Sequence, residues 1–171
     1  MVIYIMKLKK IHIVFFFFVL ILGTLLHFTY SLSGQNKIVS YFSAVNESVW
    51  EHLKLIFFPA IVFSFIEYYA YGKHRVDFWA IKMTAILSSM LFIVVFFYTY
   101  SGILGFNLAV LDILSFIIAD VILTYISYNL QNSASSGTKA DSIKAIAVLF
   151  LLTVCFVSWT DNPPDLGIFW G

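Results

Sequence analysis

Residues 42–60, FSAVNESVWEHLKLIFFPA, place Glu47, Glu51, His52 and Lys54 directly before an apolar run. Ser48 followed by Glu51 has the capping-box form: the Ser48 hydroxyl accepts from the Glu51 backbone N–H, and the Glu51 side chain returns to the Ser48 N–H. In that register Glu47 precedes the cap and His52 is the fourth helical residue, two positions whose side chains normally meet as a staple. A carboxylate against an imidazole would orient one ring nitrogen, as in general-base and metal-ligand arrangements. The same letters also read as a capped helix with an ion pair at a membrane surface, where Trp50 and Lys54 serve as anchors. Pro59 withholds a donor from the Leu55 carbonyl, and the helix either kinks there or accommodates it. Asn46-Glu47-Ser48 matches a glycosylation sequon, discounted because it lies so close to the apolar run.

Other ionisable residues fall inside apolar runs, where they are costly and default to functional roles. His27 has Gly23 one turn deeper and Tyr30 almost one turn above it. Asp112 is expected at a similar depth in a later run, and Asp120 lies eight residues on, about 12 Å along a helix axis. Ser115, Thr124 and Ser127 broaden the same face, which reads as interhelical glue or as the lining of a path. Three readings follow. His27, Glu47, His52 and Asp112 suit zinc or another first-row divalent metal, which activates water at a membrane-embedded hydrolase site. Asp112 and Asp120 suit successive protonatable stations of a small carrier, assembled as a homo-oligomer for want of an inverted repeat. A non-catalytic module binding lipid or a membrane partner needs the polar groups only for packing and capping. Tyr30, Asn46 and Glu51 complete the polar-site set. Glu67 is expected to pair with Lys73, Arg75 or Lys82, and His12 and His74 to have no special role.

The elements that position these residues are set by composition. The 171 residues are 61% hydrophobic and 11% charged, with a mean hydropathy of +0.95, whereas a soluble domain carries about 25% charged residues. An integral membrane protein is implied, with the lipid bilayer as its first partner. A net charge of +1 gives no reason to expect nucleic acid, and the single Cys155 has no internal disulfide partner. The nucleotide-binding, zinc-protease, dithiol and nucleophile-elbow motifs are all missing. Apolar runs of spanning length occur at about 11–32, 53–71, 80–100, 106–128 and 143–159, which predicts an all-α polytopic bundle of five spans in one domain. The first run follows KLKK but is too long for a signal sequence, so it is expected to remain as an anchor. Residues 129–142, NLQNSASSGTKADS, read as a flexible polar loop. Pro163 and Pro164 stop the last helix, and Leu166, Ile168, Phe169 and Trp170 are expected to fold back as an anchor or a lid.

Orientation follows from the basic residues. Lys7, Lys9, Lys10, Lys73, Arg75, Lys82, Lys139 and Lys144 fall on one side and only Lys37 and Lys54 on the other. The positive-inside rule then puts the N-terminus in the cytoplasm and the C-terminus outside, for a multi-pass protein of the cell membrane. The 42–60 stretch would face outward.

At LLHFTY, VNESVWEHLKLIFFP and the late Pro-Pro, the chain resembles an uncharacterised bacterial family of small polytopic membrane proteins, a domain-of-unknown-function family. The resemblance extends over nearly the whole chain and rests on His27, Tyr30, Asn46, Glu47, Trp50, Glu51, His52 and Pro59. It implies a helical membrane fold and brings no activity with it.

Overall fold

The computed structural model describes residues 2–170, with side chains from Leu8 onward. Six α-helices follow in order: α1 (Val2–Leu32), α2 (Lys37–Ser40), α3 (Val49–Ala70), α4 (Phe78–Leu104), α5 (Ala109–Asn132) and α6 (Lys139–Asp161). Five of them, all but the short α2, are long and apolar enough to cross a membrane. The helices outrun the expected spans because polar end turns at 49–52, 129–132 and 139–142 continue them beyond the apolar stretches. Helix formation pairs backbone groups within the segment, the condition lipid imposes, with the Leu55 carbonyl opposite Pro59 as an exception in α3.

The bundle is built around α3. Its apolar window is 67% buried, against 17% for α6, and a helix that is apolar all round belongs inside. Helix α1 packs on α3 and α5, α4 packs on α3, α5 and α6, and the turn at Gly167–Phe169 seats on α3. Trp50 is buried under that turn, its ring centroid 4.6 Å from Phe156, 4.9 Å from Trp159 and 5.0 Å from Phe169. Trp50 is therefore a packing residue, not a surface anchor. The fold-back of the C-terminal turn is as expected, and Phe169 is the side chain that buries.

Pro59 is accommodated inside α3. The Leu55 carbonyl, which Pro59 leaves without its helical donor, lies 2.4 Å from where a Cβ on Gly23 would sit, and the Phe116 ring lies 2.6 Å from it. Only a glycine at position 23 lets α1 come this close to α3. The close approach also brings together the next turns of the two helices, which carry His27 and His52.

The opposite end of the bundle is closed by a short connection. Asp77 receives the Arg75 guanidinium at 2.7 Å and the Gly137 N–H at 3.4 Å, so it ties the α3–α4 link to the α5–α6 loop. Burial pushes the Asp77 carboxyl up, but Arg75, Ser135 and the Gly137 N–H outweigh it and hold the group below the ordinary carboxylate range. The loop expected over 129–142 is reduced to 133–138. It ends in a capping box, with Asp141 N–H on the Thr138 hydroxyl and the Thr138 N–H on Asp141.

Candidate metal centre

The Ser48–Glu51 stretch folds as half a capping box. Ser48 caps α3 by accepting from the Glu51 N–H at 3.3 Å. The Ser48 N–H goes instead to the Asn46 side chain at 2.9 Å, a local turn that sets the entry into α3. The Glu51 carboxylate is left to turn inward, accepting from the Val45 N–H at 3.0 Å and from Lys54 Nζ at 2.6 Å. Lys54 is not an interfacial anchor. It is fully buried and also donates to the Ser40 carbonyl at 3.0 Å and the Thr160 hydroxyl at 2.5 Å, binding α2, α3 and α6 together. Glu51 is accordingly part of a structural clamp.

With Glu51 turned inward, Glu47 and His52 remain on the other side of the cap. The Glu47 carboxylate oxygen Oε2 lies 3.5 Å from His52 Nε2 and 3.8 Å from His27 Nε2, and the two imidazole nitrogens are 3.3 Å apart. His52 Nδ1 lies 2.8 Å from the Ser48 carbonyl. A carbonyl only accepts, so Nδ1 carries a proton, and Nε2 is the ring nitrogen that faces the cluster, the second-sphere arrangement usual for metal-ligating histidine. The cap residue thus also orients the ring.

These spacings match a metal's ligand shell. Zinc bonds of about 2.0–2.1 Å at tetrahedral angles put ligand atoms about 3.3–3.4 Å apart. The three candidate ligand atoms all lie within 4.8 Å of one another. Glu47 is the most exposed member, with its side chain 73% accessible, so its carboxylate is free to close the remaining few tenths of an ångström.

The cluster borders a cavity of about 560 Å³, within the range of about 300–1,000 Å³ usual for small-ligand sites. Gly23, Leu55, Phe97 and Phe116 give it apolar walls, and Asn107, Asp112 and Ser115 add polar groups. Asp112 therefore shares the cavity, but it is not a member of the three-residue ligand cluster. It is held by the Tyr100 hydroxyl of α4. Tyr30 does not line the cavity; its backbone N–H donates to Ser43 at 3.0 Å, which ties α1 to the α2–α3 link. Asn46 contributes through its turn. Asp120 is fully buried two turns beyond Asp112 on α5, away from this cavity.

One group escaped the sequence reading. His12, expected to have no special role, is buried at the other end of the bundle, with Nδ1 at 2.9 Å from the Leu8 carbonyl and Nε2 at 3.2 Å from the Ser127 hydroxyl. Of the three partners expected for Glu67, Lys82 is the one observed, and this pair too is fully buried. Lys82 Nζ also donates to Ser127 at 2.8 Å, while Tyr71 joins Glu67 to Gln131. The signal in the sequence was the register of His12, Glu67, Lys82 and Ser127 at one level of four antiparallel runs.

Comparison with curated proteins gave no match, and neither did comparison with solved structures. The model of the Family of unknown function (DUF6512) matches residues 1–171, and the chain belongs to that family.

Proposed function

We propose that the protein is a multi-pass membrane protein whose activity centres on a divalent metal, zinc or a neighbouring first-row ion, held by His27, Glu47 and His52. The observation that carries the reading is the convergence of two imidazole nitrogens and a carboxylate oxygen within 4.8 Å at the edge of a cavity. Two nitrogens and one oxygen suit zinc, and three protein ligands leave a fourth position open, as in catalytic rather than structural sites. A metal bound there supplies Lewis acidity and a water acidified enough to act as a nucleophile. The chain's own part is to fix the His52 tautomer through Ser48 and to hold α1 against α3 through Gly23.

The proposed orientation puts the N-terminus in the cytoplasm and the metal at the outer face. Lys54 and Lys82 are buried in ion pairs and drop out of the basic count. The remaining bias still favours that side by Lys7, Lys9, Lys10, Lys73, Arg75, Lys139 and Lys144 against Lys37.

Metal analysis of the purified protein tests the reading. One divalent ion per chain is expected, lost on His27→Ala or His52→Ala in variants that still fold. A metal-free wild-type protein that takes up no zinc on dialysis defeats it.

A further inference from the structure

The 560 Å³ cavity beside the metal cluster is polar at one level and apolar at the next. Gly23 of α1 meets Leu55 of α3 and Phe116 of α5, and this contact fixes the register of the three helices. One turn from it on α1 and α5 stand His27 and Asp112, and His52 is three residues from Leu55. The cluster, Asp112 and Asn107 therefore share the outer level of the cavity, and Gly23, Leu55, Ile93 and Phe116 line the deeper one. Two hydroxyls also reach the deeper level, and both donate to their own helices: Thr24 to the Leu20 carbonyl and Ser115 to the Asp112 carbonyl, each at 2.7 Å. What the deeper half offers a ligand is apolar surface.

The cavity is closed on one flank and open on the other. Leu55 of α3 and Ile93 of α4 are buried, so the wall they form lies inside the bundle. Thr24 and Phe28 of α1 and Ile113 of α5 line the same cavity and are exposed on the outside of the bundle. The opening lies between α1 and α5 at their level. Both helices are long and apolar enough to cross a membrane, and all three rim residues fall within those segments. Such an opening faces hydrocarbon, and the apolar Phe28 and Ile113 on its rim suit that neighbour.

We propose that the ligand of this site is a membrane amphiphile, a lipid-like molecule with an oxygen-bearing head group and an apolar chain, which enters sideways from the bilayer between α1 and α5. The inference rests on the metal reading above, because the open fourth position of a three-ligand zinc takes the head-group oxygen. The first part of the chain lies against Leu55, Ile93 and Phe116, and the rest passes Phe28 and Ile113 back into lipid. Burial of apolar surface on those walls supplies affinity, while the few polar groups at the cluster level fix which end enters first. A ligand of this kind reaches the metal without leaving the membrane.

The test uses the full chain in lipid nanodiscs, supplied with zinc and with a long-chain fatty acid that carries a photoreactive diazirine partway down its chain. Peptide mass spectrometry locates the adducts after irradiation, and zinc is measured on the same sample. Adducts on Leu55, Ile93 or Phe116 are expected, suppressed by excess unlabelled fatty acid and not by acetate. Leu55 and Ile93 are buried, so label on them comes from within the cavity. Adducts confined to lipid-facing side chains, or indifferent to the competitor, overturn the proposal. Thr24→Trp fills the opening and should lower the cavity adducts at least tenfold with zinc content unchanged; undiminished adducts refute the sideways entry. If that variant fails to fold, a fatty acid with the diazirine at its chain end decides on the wild-type protein, by marking Phe28 or Ile113 as expected or by sparing both, which overturns the route. Zinc bound without cavity adducts defeats this proposal and leaves the metal reading standing, whereas a chain that takes up no zinc defeats both.

Discussion

His27 Nε2 and His52 Nε2 stand 3.3 Å apart although they come from different helices and 25 positions apart in the chain. The contact depends on two local features, the cap at Ser48 and the close approach at Gly23. The two are separable by mutation.

The cap and the ring can be pulled apart at His52. Ser48→Ala should cost roughly 0.5–2 kcal/mol of stability, read as a lower denaturation midpoint. His52→Gln leaves the cap in place and should change stability less while abolishing zinc uptake by isothermal titration. Equal zinc binding by His52→Gln and wild type would remove His52 from the metal centre.

Gly23→Ala inserts a methyl where the Leu55 carbonyl and the Phe116 ring already stand, at 2.4 and 2.6 Å. Overpacking of this kind costs about 1–3 kcal/mol. The helices should separate by a few tenths of an ångström or more, weakening metal binding without touching a ligand. Thermal denaturation and zinc affinity, measured together, should both decline; an unchanged affinity would show that the α1–α3 spacing does not set the site.

The buried Lys54–Glu51 pair should be intolerant of single changes. Lys54→Met strands a buried carboxylate and is expected to cost about 3–5 kcal/mol, whereas Lys54→Met combined with Glu51→Leu should recover much of the loss. Detergent-melting curves of Lys54→Met, Glu51→Leu and the double variant check this, and additive losses would contradict it.

Asp77 gives the pH dependence. Its folded-state carboxyl is held below the ordinary range by Arg75, Ser135 and the Gly137 N–H against the opposing effect of burial. A depressed folded value stabilises above the unfolded value of about 3.9 and is lost as pH falls through the folded value. The melting temperature of wild type should therefore fall below about pH 4 more steeply than that of Asp77→Asn. Parallel curves would mean Asp77 makes no such contribution.

Topology is tested by cysteine labelling in a Cys155→Ala background. A cysteine at Ser135 should react with an impermeant maleimide only from the cytoplasmic side, and one at Gly34 only from outside. Reversed labelling would place the metal centre inward.

The helices were legible because composition and run length decide which segments can enter lipid, and each of the five runs overlaps a helix long and apolar enough to cross a membrane. The helix ends were less so: α3 begins at Val49 because Ser48 caps it, and α5 runs on through the polar 129–132, neither of which hydropathy registers. Glu47, His52 and His27 were legible as candidates for a shared site because ionisable side chains beside apolar runs are costly, and Ser48 was legible as a cap from its spacing to Glu51. Tertiary structure alone decided what those groups touch. Glu51 read as a cap and Lys54 as a surface anchor, yet both are buried in one ion pair, with Lys54 also bound to Ser40 of α2 and Thr160 of α6. Asp112 matched His27 in depth, yet depth along a helix leaves its rotation open, and packing placed it in the cavity wall outside the ligand cluster. His12 looked idle among lysines until α1 laid it against Ser127 and Glu67. Sequence sets which side chains lie at each level of the membrane, since the helical rise is fixed. Which of them meet is set by helix rotation and spacing, and here those depend on a missing Cβ at Gly23 and on the carbonyl that Pro59 leaves free.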